Sequence, residues 1–372
     1  MKDKTRIYTL DLMRGIAAIL VVSYHLIETY MDSTIHIINH GYLAVDFFFI
    51  LSGFVVSYAY DLEWGKGLGY KAFFYRRLVR LHPMVLFASV LGTLLFFFQV
   101  SPIFPVSDKT NIFQLLRAMF MGMVFIPSTE LTDVRGWGEM FCLNSPQWTL
   151  FFEYIANILY ALFLRRLSNQ GLFILTFIMA LVTVNLTLDI NICGLIGNRD
   201  QIAYTVIGGW CSNQYDIFIG FSRLMFPFCC GMLIQRNKLR IQINNNIAIM
   251  SILLVVILAM PKLPGVFNGI YESICILIIF PLIIMLGNGG KQTRMKSICT
   301  TAGELSYPLY IVHFPFVYLQ AAWVSLHPQS GIFENIEVTI LCLISIVTTM
   351  YLSYHYYETP IRNYIKYKKY VK

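Results

Sequence analysis

Charge is what this 372-residue chain has least of: Asp, Glu, Lys and Arg together make up 13% of it, against 57% hydrophobic residues and a mean hydropathy of +0.63. So little charge excludes an ordinary soluble domain and a disordered one, and places the chain among polytopic membrane proteins. The eight cysteines contain no paired Cys-x-x-Cys spacing, so zinc has no sequence signature and no metal site is expected. A bridge between Cys193 and Cys211 is left open, with free thiols the simpler expectation. No internal repeat, low-complexity tract or second soluble domain is visible, so residues 1–372 read as a single integral-membrane domain. The first apolar run is expected to be an uncleaved span rather than a leader. Lys2, Lys4 and Arg6 precede an apolar run, but the run is too long, carries Arg14 and ends without a small-residue cleavage site.

Apolar stretches are what the chain has in abundance. Ten have the length of membrane spans: residues 10–30, 41–60, 83–100, 147–164, 171–190, 216–235, 247–260, 270–287, 306–324 and 336–356. Residues 112–127 are apolar but short, and they contain Gln114 and Arg117. If they do not cross, 22 of the 28 Lys and Arg residues fall on the side of the amino terminus; if they do, every later basic cluster inverts. The expected fold is therefore all-α, with about ten transmembrane helices plus one interfacial or re-entrant helix, and both termini cytoplasmic. The net charge of +8 then records basic loops rather than a nucleic-acid partner.

Polar residues inside such spans are costly, and they mark candidate sites. Arg14 and His25, eleven positions apart in the first span, share one helix face about 16 Å apart along the axis. The topology puts Arg14 near the cytoplasmic face and His25 in the outer half. Asp46 and Glu153 fall in the outer half as well, where a carboxylate is able to orient the imidazole; each is equally readable as a structural ion pair. Glu28, one turn beyond His25, is either its partner or a solvated helix end. Arg76, Arg77 and Arg80 precede the third span, where guanidinium forks suit phosphate oxygens, of a ligand or of lipid. His313 lies within the ninth span beside Tyr307 and Tyr310. Glu358 and Arg362, four apart, read as a structural pair, and Arg223 needs a buried partner the sequence does not name.

Basic groups at the inner face and a candidate base deeper in the membrane fit a substrate that is anionic at one end and reactive at the other, such as acetyl-CoA. The rival class is a transporter or exporter of an anionic solute or polysaccharide, which the same charges would line.

Six motifs in order then resemble the integral-membrane acyltransferase 3 family over essentially the whole chain. They are Arg14 and His25; VDFFFILSGF with Asp46, Ser52 and Gly53; RRLVRLHP from Arg76 to Pro83; WTLFFE with Trp148 and Glu153; Ser306, Tyr307, Tyr310, His313 and Pro315; and Glu358, Pro360 and Arg362. Thr149 stands where the family usually has serine, His82 replaces an aromatic residue, and Ala156 and Asn157 replace an aromatic pair. The resemblance implies a bacterial inner-membrane O-acyltransferase. It would use acetyl-CoA or another acyl-CoA as co-substrate, with no tightly bound cofactor, and a glycan or lipid-linked saccharide as acceptor. On that reading His25, Asp46 and Glu153 are the catalytic candidates, and Arg14, Arg76, Arg77 and Arg80 hold the coenzyme. Trp148, Tyr307 and His313 meet the substrate; Trp148 is a sugar platform or an interfacial anchor.

Overall fold

The computed structural model describes residues 6–30, 38–199, 202–243, 246–289 and 295–370, so Lys2, Lys4, Lys291, Arg294 and Lys372 of the basic clusters lie outside the described residues. Fourteen α-helices follow one another in these segments: α1 Tyr8–Glu28, α2 Ala44–Trp64, α3 Tyr70–Phe96, α4 Ile112–Met123, α5 Gln147–Leu162, α6 Asn169–Thr187 and α7 Gln214–Arg236, then α8 Asn246–Ala259, α9 Val266–Ile274, α10 Phe280–Asn288, α11 Lys296–Val312, α12 Phe314–Leu326, α13 Ile332–Ser353 and α14 Thr359–Tyr370. No strand occurs among the described residues.

Each apolar segment read from the sequence is helical, but the count of ten crossings is not confirmed. Among the described residues seven helices are long and apolar enough to span, or eight if the bent pair α11 and α12 counts as one. The shortfall is length: α5 has 16 residues and α8 has 14, reaches of about 24 and 21 Å against a hydrocarbon core of about 30 Å. Helix α4 is a separate 12-residue element. Asn111 caps it by accepting from the Gln114 amide while the Gln114 side chain accepts from the Asn111 amide.

Two close helix pairings position the site. The most extensive is α2 against α7. A Cβ at Gly53 would lie 2.0 Å from the Phe228 carbonyl oxygen, and one at Gly231 would lie 2.0 Å from that of Ile50. Backbones this close tolerate only glycine, which gives Gly53 of the second motif a packing role. The next pairing is α1 against α11, and it carries Arg14 to Ser306.

Helix α11 breaks into α12 at His313 with a 45° bend. Pro315 has no N–H for the Ile311 carbonyl, and the Asn144 side-chain amide takes that oxygen at 2.8 Å. The Gln99 amide takes the Pro315 carbonyl at 2.6 Å. The loops before α5 therefore hold the broken helix open. Burial pushes the Glu139 carboxyl, in one of these loops, up to about 7, and it accepts from the Tyr318 hydroxyl. Cys193 and Cys211 are separate free thiols.

Candidate active site

The site has two parts. The first is a cavity of about 520 Å³ at the end of the bundle where α1 begins. Five arginines line it, Arg6, Arg14, Arg77, Arg80 and Arg362, together with Asp11, Glu153, Glu304 and Glu358. Most of these charges are paired. Arg6 bridges Asp11 at 2.5 Å and Glu304 at 2.9 Å, Arg77 meets Glu153 at 2.5 Å, and Arg362 meets Glu358 at 2.9 Å. Arg14 donates from Nε to Ser306 Oγ at 2.8 Å and from Nη2 to the Gly303 carbonyl, with Asp11 at 3.6 Å. Glu153 also accepts from Ser52 at 3.2 Å, so the second, third and fourth motifs meet on one carboxylate.

Arg80 is different. It lines the cavity with no hydrogen bond or ion pair to any described residue, and Glu153 and Glu358 act on it only as charges at longer range. Arg76, its neighbour in the motif, is not part of the cavity lining. Tyr307 is, but its hydroxyl donates to the Leu81 carbonyl at 2.5 Å rather than toward His313.

The second part lies behind the wall of the cavity formed by Tyr310, Thr149 and Phe48. The Tyr310 hydroxyl meets Thr149 Oγ1 at 2.9 Å, and its ring packs edge-on against Phe48. Its backbone carbonyl takes His313 Nδ1 at 2.7 Å. His313, fully buried, stacks on His25 with ring centroids 5.5 Å apart and planes 27° apart. His25 Nδ1 lies 2.9 Å from Glu28 Oε2, and the Tyr24 hydroxyl donates to Glu28 Oε1 at 2.9 Å. Carbonyl and carboxylate oxygens only accept, so in both neutral rings Nδ1 carries the proton and Nε2 presents its lone pair. The edge of Phe314 covers both rings, at 4.9 Å from His25 and 5.7 Å from His313.

Two sequence expectations are corrected here. Neither Asp46 nor Glu153 holds His25; that carboxylate is Glu28, found by its spacing of three along α1. Asp46 is 1% exposed and accepts from Arg223 Nη2 at 2.7 Å, the partner Arg223 needed. The two lie 177 positions apart, and only the packing of α2 on α7 brings them together. Trp148 is no open sugar platform either. It is 6% exposed, with the Arg223 guanidinium 5.4 Å from its ring centroid and Phe49 and Phe152 against its edges.

A lone-pair imidazole held by a carboxylate, beyond a cavity rich in arginine, is an arrangement suited to acyl transfer from an anionic donor. The family model described as an acyltransferase domain matches residues 7–355. The chain belongs to the acyltransferase 3 family. The acyltransferase is similar to the peptidoglycan O-acetyltransferase OatA of Listeria monocytogenes, at 24% identity over 97% of this chain and 57% of the relative. It thus spans little more than half the length of that protein. It is also similar to protein 2 in the picA locus of Rhizobium radiobacter, at 32% identity over 42% of this chain and 81% of the relative. No solved structure matches.

Proposed function

We propose that this acyltransferase carries an acetyl group from acetyl-CoA in the cytoplasm to a hydroxyl of an exported cell-envelope glycan or lipid-linked saccharide, within a bacterial inner membrane. The observation that carries the reading is the polarity of the site: an arginine cavity at one end, where Arg80 makes no hydrogen bond or ion pair to a described residue, and a carboxylate-held imidazole beyond the cavity wall. Arg14 and His25 are about 16 Å apart along α1. An extended pantetheine arm reaches on the order of 15–20 Å, so phosphates held near Arg14 and Arg80 leave the thioester within reach of His25. The similarity to a peptidoglycan O-acetyltransferase supports a glycan acceptor.

His25 Nε2 takes the proton of the glycan hydroxyl as its oxygen attacks the thioester carbonyl. The C–S bond then breaks, and the departing coenzyme thiolate takes the proton from the imidazolium. Glu28 stabilises that imidazolium and fixes the ring's tautomer. Tyr310 must swing aside for the thioester to pass, because its side chain lines the cavity while its carbonyl holds His313.

Glu28→Gln keeps an oxygen near His25 Nδ1 but removes the charge. Transfer is expected to fall at least tenfold, with the KM for acetyl-CoA unchanged. A KM effect with kcat intact would place Glu28 in binding instead. The enzyme reading itself is tested by giving purified protein acetyl-labelled acetyl-CoA and an envelope glycan fraction. Label in the glycan supports it; glycan moved across the membrane without label would make the protein an exporter.

A further inference from the structure

Helix α13 does not end where α14 begins. The two run on as one long helix, joined by a π-turn over Tyr354–Glu358. A π-turn inserts a residue into the helical repeat and re-aims the side chains that follow, and such insertions are frequent at functional positions. Here it sets Glu358 into the wall of the arginine cavity.

Glu358 is 2% exposed, and only half of its carboxylate is used. Oε1 accepts from Arg362 at 2.9 Å, whereas Oε2 is buried with no hydrogen-bond partner. Leaving a charged acceptor unmet costs more than a neutral one, and native structures keep few such atoms. On the same cavity lies Arg80, which no hydrogen bond or ion pair joins to a described residue and which feels the carboxylates of Glu153 and Glu358 only as charges at longer range. An unmet acceptor and a cation free of hydrogen bonds, lining one cavity, suit a ligand that offers an anionic oxygen to Arg80 and an O–H donor to Glu358.

We propose that Arg80 and Glu358 form a two-point reader for a phosphate with a neighbouring hydroxyl. The inference rests on the acyl-CoA reading and extends it to a residue that its spacing marked only as a helix-end ion pair. Coenzyme A carries this pattern twice, as the ribose 2′-hydroxyl beside the 3′-phosphate and as the pantoate hydroxyl near the diphosphate. A carboxylate that accepts from a sugar or pantoate hydroxyl discriminates coenzyme from bare phosphates, which offer no donor and meet only repulsion from Glu358.

The sign of one substitution decides the matter. If Glu358 serves only Arg362, Glu358→Gln removes a negative charge beside a polyanionic ligand and binding tightens. If Oε2 receives a hydroxyl, the same change weakens acetyl-CoA binding, by about tenfold or more, because a charge-assisted bond is lost. The measurement is calorimetric binding to the purified full chain in lipid nanodiscs, with acetyl-CoA, S-acetyl-4′-phosphopantetheine and inorganic pyrophosphate as probes. Glu358→Gln should weaken acetyl-CoA and leave pyrophosphate unchanged or tighter, while Arg80→Ala weakens both. Loss of the phosphopantetheine probe as well assigns the pantoate hydroxyl; retention of it assigns the ribose.

Glu358→Gln keeps an amide oxygen for Arg362, and an unchanged melting temperature confirms that the fold is intact. Glu358→Asp, which keeps the charge and withdraws it by one methylene, should also bind acetyl-CoA more weakly than the native protein. Native-strength or tighter acetyl-CoA binding by Glu358→Gln overturns the proposal and leaves the acyl-CoA reading standing. A native protein that binds none of the three probes overturns both.

Discussion

His25→Ala is expected to lower acyl transfer about 10³-fold or more while the protein still inserts and still binds acetyl-CoA. The ring's neighbours explain why so much rests on it and so little of the fold does. His25 is held through Glu28, on its own helix, and packs against His313 and Phe314, with no hydrogen bond from its ring to another helix among the described residues. The contacts that fasten α1 to the rest of the bundle lie elsewhere: Arg14 on Ser306 and Gly303, and the Leu26 carbonyl accepting from Gln320 at 2.9 Å. Truncation at His25 therefore removes the lone pair proposed to react and leaves these ties in place. Insertion is read from membrane-fraction yield and melting temperature, and transfer from labelled product. Near-native transfer by His25→Ala would remove the imidazole from the chemistry altogether.

Asp46→Asn is the largest expected effect on stability. The ion pair with Arg223 is almost completely buried, at 1% exposure on each side chain, and Arg223 also donates to the carbonyls of Tyr42 and Gly208. Neutralising one partner leaves the other charge without compensation, a loss of about 3–5 kcal/mol. Neutralising both, as Asp46→Asn with Arg223→Gln, removes the uncompensated charge and should restore much of the melting temperature. If Asp46 instead acts in the chemistry, the double variant will be stable and inactive. If its role is the pairing seen here, the double variant regains transfer along with stability. Melting temperature and labelled transfer on the three proteins separate the two roles.

These two residues also mark where sequence reasoning reached and where it stopped. The placement of Arg14 and His25 along one helix was legible, because spacing within a helix translates directly into geometry. Glu28 was visible for the same reason. Asp46 was legible as a buried acid and Arg223 as a buried base, yet nothing in a linear chain says that they meet. That requires α2 to lie on α7, a contact set by Gly53 and Gly231. Glu153 went to Arg77 and Ser52 for a similar reason, since proximity in depth does not fix which neighbour a side chain faces. The aromatic surroundings of Trp148 were hidden in the same way.

The count of ten crossings was not confirmed because hydropathy reports apolar character and not helix length. The segments that became α5 and α8 are apolar enough to be read as spans, but the helices end early. The π-turn that brings Glu358 into the cavity left no mark on the sequence at all. A motif Glu-x-Pro-x-Arg reads as a helical pair, and the re-aimed carboxylate appears only once the backbone is traced.

The central claim is that the donor is held at one face of the membrane and its acyl group is delivered to the other. Sealed proteoliposomes with the α1-start face of the protein exposed to acetyl-labelled acetyl-CoA, and a glycan acceptor trapped on the opposite side, test it directly. Label should appear in the trapped glycan, and the same donor supplied only on the glycan's side should give none. Transfer that requires donor and acceptor on one side of the membrane would contradict the account.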